Sequence, residues 1–153
     1  MKYLSLFKAM CGSWEGECRT WFEPGVLTDT SPIKGTISHV INDQFIRHVY
    51  TGSIKDTFRQ GEETLIFNEL GEQIEVAWID SFHMNYGILF SKGAQVGPAV
   101  SVFGLYDVKA GTPRWGWRTA YHMPSKDTLI ITAFNVSPQG DETKAVEVHY
   151  KRT

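Results

Sequence analysis

GSWEG, residues 12–16, and VHYKRT, residues 148–153, stand at opposite ends of the strand-forming part of the chain, and the parities of their side chains decide how it closes. Successive side chains on a strand point to opposite faces. From Trp14, the residues Gly16, Cys18, Thr20 and Phe22 share one face, and Glu15, Glu17 and Arg19 oppose it. In the last segment Val146, Val148, Tyr150 and Arg152 oppose Glu147, His149 and Lys151. The apolar face is the inner one in both, so Trp14 and Arg152 are expected on the same side. A guanidinium over an indole contributes about 0.5–2 kcal/mol, depending on burial. Such a contact between first and last strands would seal one end of a closed sheet.

The region between these ends is read as strands throughout. Alternation recurs after residue 12, whereas a helical period occurs once, in Leu4, Phe7 and Met10. The segments 14–22, 33–41, 45–52, 54–59, 63–69, 73–80, 86–91, 99–108, 114–122, 127–136 and 144–152 each read as strand, and one of them is not independent. Breakers lie at EPG (23–25), SPIKG (31–35), NDQ (42–44), GE (71–72), KAGTP (109–113) and SPQGDE (137–142). Short strands at this spacing predict an all-β fold: a single antiparallel up-and-down barrel of about ten strands over residues 1–153, with a short N-terminal helix across one end.

Composition narrows the function. A chain of 153 residues is of one-domain size, and such a domain buries roughly 70% of its unfolded surface, enough for a core without metal or disulfide staples. Fifteen Lys and Arg against 17 Asp and Glu leave a net charge of −2, with no basic field for a nucleic acid. The opening MKYLSLFKAMCG lacks a signal-peptide cleavage site, and no apolar run approaches the roughly 18 residues of a membrane span. A cytoplasmic protein without membrane partners is expected. Cys11 and Cys18 match neither a zinc nor a redox spacing, and read as two buried or half-buried thiols.

GSW followed by an Arg on the final strand resembles the G-x-W and terminal Arg of the lipocalins and the wider calycin group. Over almost the whole chain, the order GSWEG, WIDSFHM (78–84), WGWR (115–118) and FNVSPQGDETKAVEVHYKR (134–152) is similar to the bacterial domain-of-unknown-function family numbered fifteen-seventy-nine. That resemblance implies a lipocalin-like barrel and no established activity. One departure is NDQ at 42–44, where relatives often carry a pair of glycines.

Candidate chemistry concentrates in two stretches. In WIDSFHM, Asp80 shares a face with Ile74, Val76 and Trp78, which puts an acid at the end of an inner face. An ionised carboxylate there needs a partner or water, or serves as a cap for the next turn. His83 lies across the expected turn, where Asp80 would raise its pKa. Ser81 points away from Asp80, which removes the nucleophilic triad that the three residue types suggest. In RWGWRTAYH, residues 114–122, Trp115, Trp117 and Tyr121 oppose Arg114, Arg118 and His122. Either face could be the inner one. If Arg118 faces in, it is the natural counter-ion of Asp80 and could bind an anionic ligand group.

The sequence leaves three readings. In the first, the barrel binds a small hydrophobic or amphipathic molecule with one polar or anionic group, with Trp78, Trp117, Tyr86 and Tyr50 as wall and Asp80, His83 and Arg118 at the polar end. In the second it is a small enzyme, a proton-transfer isomerase or a hydrolase, with His83 as general base, Asp80 orienting it and Arg118 stabilising an anion. In the third the barrel is filled and forms a homodimer through strand aromatics such as Trp21. No cofactor and no metal site are expected, since the five histidines form no H-x-H or H-E-x-x-H pair. The haem-binding nitrobindins share a G-x-W start and a late-strand His; here parity turns His149 outward. SPQGDE reads as a hairpin turn rather than a Ca²⁺ loop.

Overall fold

A computed structural model describes residues 2–153, with side chains from Ser5 onward. A helix, α1 (Lys2–Met10), precedes ten strands: β1 (Gly12–Glu23), β2 (Val26–Val40), β3 (Phe45–Ile54), β4 (Thr57–Asn68), β5 (Gln73–Asp80), β6 (Met84–Val96), β7 (Ala99–Tyr106), β8 (Trp115–Ser125), β9 (Thr128–Val136) and β10 (Glu142–Arg152). Each strand pairs antiparallel with its neighbours in sequence, and β1 pairs with β10, so the meander closes into a barrel with no free edge. The expected barrel with a short N-terminal helix is therefore the fold.

The closing seam has the inferred register. Trp14 stands opposite Arg152, whose guanidinium lies 4.3 Å from the indole centroid. Arg152 also donates to the carbonyls of Ala9 (2.7 Å) and Cys11 (2.8 Å), and the Trp14 indole N–H donates to Met10 O at 2.9 Å. These bonds satisfy carbonyls that the end of α1 leaves without helical partners. Phe7 and Met10 are buried against Trp14, so the helix plugs this end of the barrel. The Leu4 side chain of the expected helical stripe lies outside the described residues. Cys18 is buried and Cys11 half-buried, both free thiols.

Two glycines lie inside strands, for one reason. Segments 54–59 and 63–69 are expected as separate strands, but Ile54 ends β3 and residues 57–68 form one strand. Gly61 sits mid-strand because a Cβ there would overlap the Tyr50 hydroxyl. Gly35 of SPIKG likewise lies inside β2, where a Cβ would overlap the Tyr150 hydroxyl. These glycines admit a neighbouring ring instead of turning the chain. The true turn is Lys55–Asp56, with φ of 48° and 62°. NDQ is a turn, with φ positive from Ile41 to Asp43. SPQGDE also turns, with Ser137 N–H donating to Asp141 O at 2.8 Å. Parity fails for Phe22, which is exposed and stacked on Phe82, because β1 is irregular against β2 after Thr20. Trp21 is only half-exposed, under the Lys144 ammonium.

Candidate functional site

The barrel interior is layered. Toward α1 it is apolar and tightly filled, with Trp14, Ile37, Ile46, Leu65, Ile74 and Leu129 fully buried. Toward the opposite end, the inner faces of β3, β4 and β5 turn polar: His48 and Tyr50 on β3, Arg59 and Glu63 on β4, and Asp80 on β5 are all buried. Charges rarely enter a core unless they are paired and hydrogen-bonded. Here they form two linked sets.

In the deeper set, His48 Nδ1 lies 3.0 Å from Glu63 Oε1, and His48 Nε2 lies 2.9 Å from the Tyr150 hydroxyl. Tyr121 donates to Glu63 Oε2 at 2.7 Å. Both oxygens of Glu63 and both nitrogens of His48 are thus engaged. Burial pushes the Tyr121 hydroxyl well above the ordinary tyrosine range, and the adjacent Glu63 charge adds to this, so Tyr121 remains a donor.

In the second set Asp80 is the hub. Arg59 Nε donates to its Oδ2 at 2.9 Å and the Tyr50 hydroxyl donates to the same oxygen. The backbone N–H groups of Phe82 (2.7 Å) and His83 (2.8 Å) donate to Oδ1. Burial pushes the Asp80 carboxyl up, but the Arg59 charge and these hydrogen bonds outweigh it, leaving Asp80 below the ordinary carboxylate range. Both expected roles, inner-facing acid and turn cap, are combined in one carboxylate. Its counter-ion, however, is Arg59. Arg118 lies on the outer face, pairing with Glu142 and stacking over Phe134 at 4.3 Å. The reason is the parity of β8: Trp117 and Tyr121 are buried, so Arg118 must face out.

Above Asp80 the barrel ends in an aromatic layer. Trp78 and Trp117 stack with centroids 5.4 Å apart, and the Trp78 indole N–H donates to the Tyr50 hydroxyl at 2.9 Å. His83 packs against both tryptophans, at 5.9 and 5.4 Å. Burial, then the Arg59 charge, depresses its pKa to about 4, against the pull of Asp80. The expected rise does not occur, because burial and the Arg59 charge outweigh the pull of Asp80, whose carboxylate bonds to the His83 backbone N–H and not to its ring. The imidazole is neutral at neutral pH, and its buried Nε2 has no hydrogen-bond partner among the described residues. Tyr86, expected in the wall, is exposed and donates to Asp107 O at 2.6 Å. Residues 85–88 bulge outward between inward-facing Met84 and Leu89, which breaks the parity that would have turned Tyr86 inward.

The tryptophan pair separates two small cavities. The inner one, of about 50 Å³, is bounded by His48, Tyr50, Arg59, Glu63, Ser91, Thr119 and Tyr121 among apolar neighbours. The outer one, of about 100 Å³, lies at the mouth between His83, Tyr106, Asn135 and the two tryptophans. The Arg59 guanidinium bonds through Nε to Asp80 and through Nη1 to Cys18 Sγ at 3.4 Å, and Nη2 makes no hydrogen bond to the described residues. Ser91 and Thr119 hydroxyls are likewise without partners there. His149 is exposed and bonds to Glu147, on the outer face that parity gave it. No group of three or more His, Cys, Asp or Glu placed to hold a metal ion occurs among the described residues.

Of the seven expected site residues, five converge: Tyr50, Trp78, Asp80, His83 and Trp117. Sequence reasoning missed Arg59, Glu63 and His48. The signal was available in the alternation Arg59, Gly61, Glu63, Leu65, which puts two charges on the face of a core leucine. His48 has the parity of Ile46 and Tyr50.

The barrel has a counterpart among solved structures. The S-type phycobiliprotein lyase of Guillardia theta superposes with a TM-score of 0.64 at 13% identity, covering 100% of this chain and 93% of the lyase; at that identity the likeness is one of fold. A DUF3598-family protein of unknown function from Nostoc punctiforme aligns over 98% of both chains with 9% identity and a TM-score of 0.29. No curated protein matches the chain. The profile of the family described as "Protein of unknown function (DUF1579)" matches residues 4–152, and the chain belongs to that family.

Proposed function

We propose that the protein binds a small, flat, mostly apolar molecule bearing one anionic group, with the anion held by Arg59 and the ring between Trp78 and Trp117. The observation that carries this reading is a surplus of donors. Every acceptor oxygen of Glu63 and Asp80 is engaged, while Arg59 Nη2 and the Ser91 and Thr119 hydroxyls line open space without a partner among the described residues. Donors left over around a cationic fork suit a carboxylate or similar anion. Burying them unpaired has a cost that a ligand or water relieves.

Size sets a limit on the ligand. Neither cavity alone, at about 50 and 100 Å³, holds a ring with a substituent. If the tryptophans part, the two merge into a space comparable with the roughly 150 Å³ cavity that accepts benzene in an engineered protein core. The fitting class is a single-ring acid of about ten non-hydrogen atoms. His83 Nε2 would meet a polar substituent at the mouth. The likeness in fold to a phycobiliprotein lyase supports a barrel that handles small molecules, though a bilin is far larger than this space.

Benzoate is the probe. Titration should perturb the tryptophan fluorescence saturably, with benzamide at least tenfold weaker. The double substitution Arg59→Met with Asp80→Asn, which removes both charges together, should abolish the preference for benzoate. An equal response to benzoate and benzamide, or none to either, would overturn the anion assignment. Native mass spectrometry of protein purified from its own host reads the retained molecule directly; a cation or a large apolar lipid would refute the size and charge class.

A further inference from the structure

The outer surface of a barrel of this kind ordinarily alternates with the inner one, apolar in and polar out. Most of this barrel obeys. β1 presents Glu15, Glu17 and Arg19 outward, and β10 presents His149 and Lys151. The adjoining strands β5, β6 and β7 do not. Ile79, Tyr86, Ile88, Phe90, Phe103 and Leu105 all face solvent there, each 42–65% exposed. Their Cβ positions fall on one continuous sheet face, because Phe90 pairs with Ala77 of β5 and Lys92 with Phe103 of β7.

We propose that this face is the interface of a homodimer, in which the sheet of one chain packs on the same sheet of a second copy about a two-fold axis. Area is the first argument. The six side chains expose on the order of 600 Å², at the top of the roughly 300–600 Å² that the largest patch of a soluble monomer reaches, and two such faces bury about 1,200 Å², the lower end of the range for specific interfaces. Charge placement is the second. Lys92, which stands opposite Glu75 of β5, lies beside the patch toward the α1 end of the barrel, and Asp107 lies beside it toward the mouth together with Arg114; Lys92, Asp107 and Arg114 border the same groove as Phe90 and Phe103. A two-fold axis perpendicular to the strands sets the Lys92 end of one copy against the Asp107 end of the other, twice over. The Lys92–Asp107 contact is thereby made twice, as an isologous interface requires. Phe90 lies near the centre of the patch, where binding energy concentrates, and Phe103 at its α1-end edge beside Lys92.

Sedimentation equilibrium of the full chain from 2 to 200 µM tests this. The wild type should show a species of twice the chain mass and a melting temperature that rises with concentration, and Phe90→Asp should be a folded monomer whose melting temperature does not depend on concentration. Phe58→Asp alters a phenylalanine of similar exposure outside this face and should remain dimeric. Lys92→Glu should weaken the dimer about fivefold, with recovery when Asp107→Lys is added. A wild type that stays monomeric throughout would overturn the proposal and assign the face to another partner. A dimer that survives Phe90→Asp, or that is lost equally with Phe58→Asp, would overturn it as well.

Discussion

Acidification should weaken the fold through His83. An unfolded histidine titrates near 6.5, whereas in the fold burial, then Arg59, holds His83 at about 4. Between those values the unfolded chain carries a proton at His83 that the folded chain does not, and stability falls wherever the unfolded state binds more protons. The contribution is present in full above pH 6.5 and is lost progressively as pH falls toward about 4. From pH 7 to pH 5 the loss is about 2 kcal/mol by this linkage. The assay is urea unfolding followed by tryptophan fluorescence at both pH values, for the wild type and for His83→Gln, which keeps a polar side chain of similar size. The difference between pH 7 and pH 5 should shrink by about 2 kcal/mol in the variant. If both proteins lose the same stability, the His83 ring is not held neutral against the tryptophans, and the description of the mouth is wrong.

Two further perturbations follow from local geometry. Gly61→Ala drives a methyl group into the Tyr50 hydroxyl; overpacking of this kind costs about 1–3 kcal/mol, and the loss should appear in urea midpoints together with a weakened response to benzoate, because Tyr50 also holds Trp78 and Asp80. Asp56→Gly relaxes the second of two residues with positive φ in the β3–β4 hairpin, and should raise stability by about 0.5–1 kcal/mol and Tm by about 1–3 °C, read by calorimetry; an unchanged or lower Tm would show that the turn carries no strain.

How far the sequence could be read depended on whether parity survived between landmarks. It survived on β5, where Ile74, Val76, Trp78 and Asp80 line one face, and across the seam, where Trp14 meets Arg152. Both strands at the seam could be phased independently from apolar residues flanked by charges. Parity was lost wherever a residue had a purpose that composition does not reveal. Gly61 makes room for Tyr50, and the expected split between segments 54–59 and 63–69 hides that Arg59 and Glu63 share the inner face of one strand. The bulge at 85–88 inserts residues that no local pattern announces, so parity alone puts Tyr86 on the wrong face. On β8 the sequence leaves both faces open, and the choice depends on what fills the barrel, a non-local quantity. The misassignment of Arg118 follows from it.

The pair Arg59–Asp80 raises a question that packing alone does not answer. Two ions taken out of water gain little net stability from each other, and replacement of a buried pair by neutral groups is often neutral or stabilising. Stability therefore gives no reason for a guanidinium whose Nη2 faces an open space instead of a second carboxylate. The cap on Phe82 and His83 gives none either, because an asparagine in place of Asp80 could still accept those two N–H groups through its carbonyl oxygen. What neutral residues could not supply is a fixed positive fork aimed into the cavity, oriented from behind by Asp80 and flanked by Ser91 and Thr119. Arg59→Met with Asp80→Asn separates the two roles. If the pair exists to bind, the double variant should unfold within about 1 kcal/mol of the wild type while its preference for benzoate over benzamide disappears. A large loss of stability with the preference intact would show instead that the pair serves the fold.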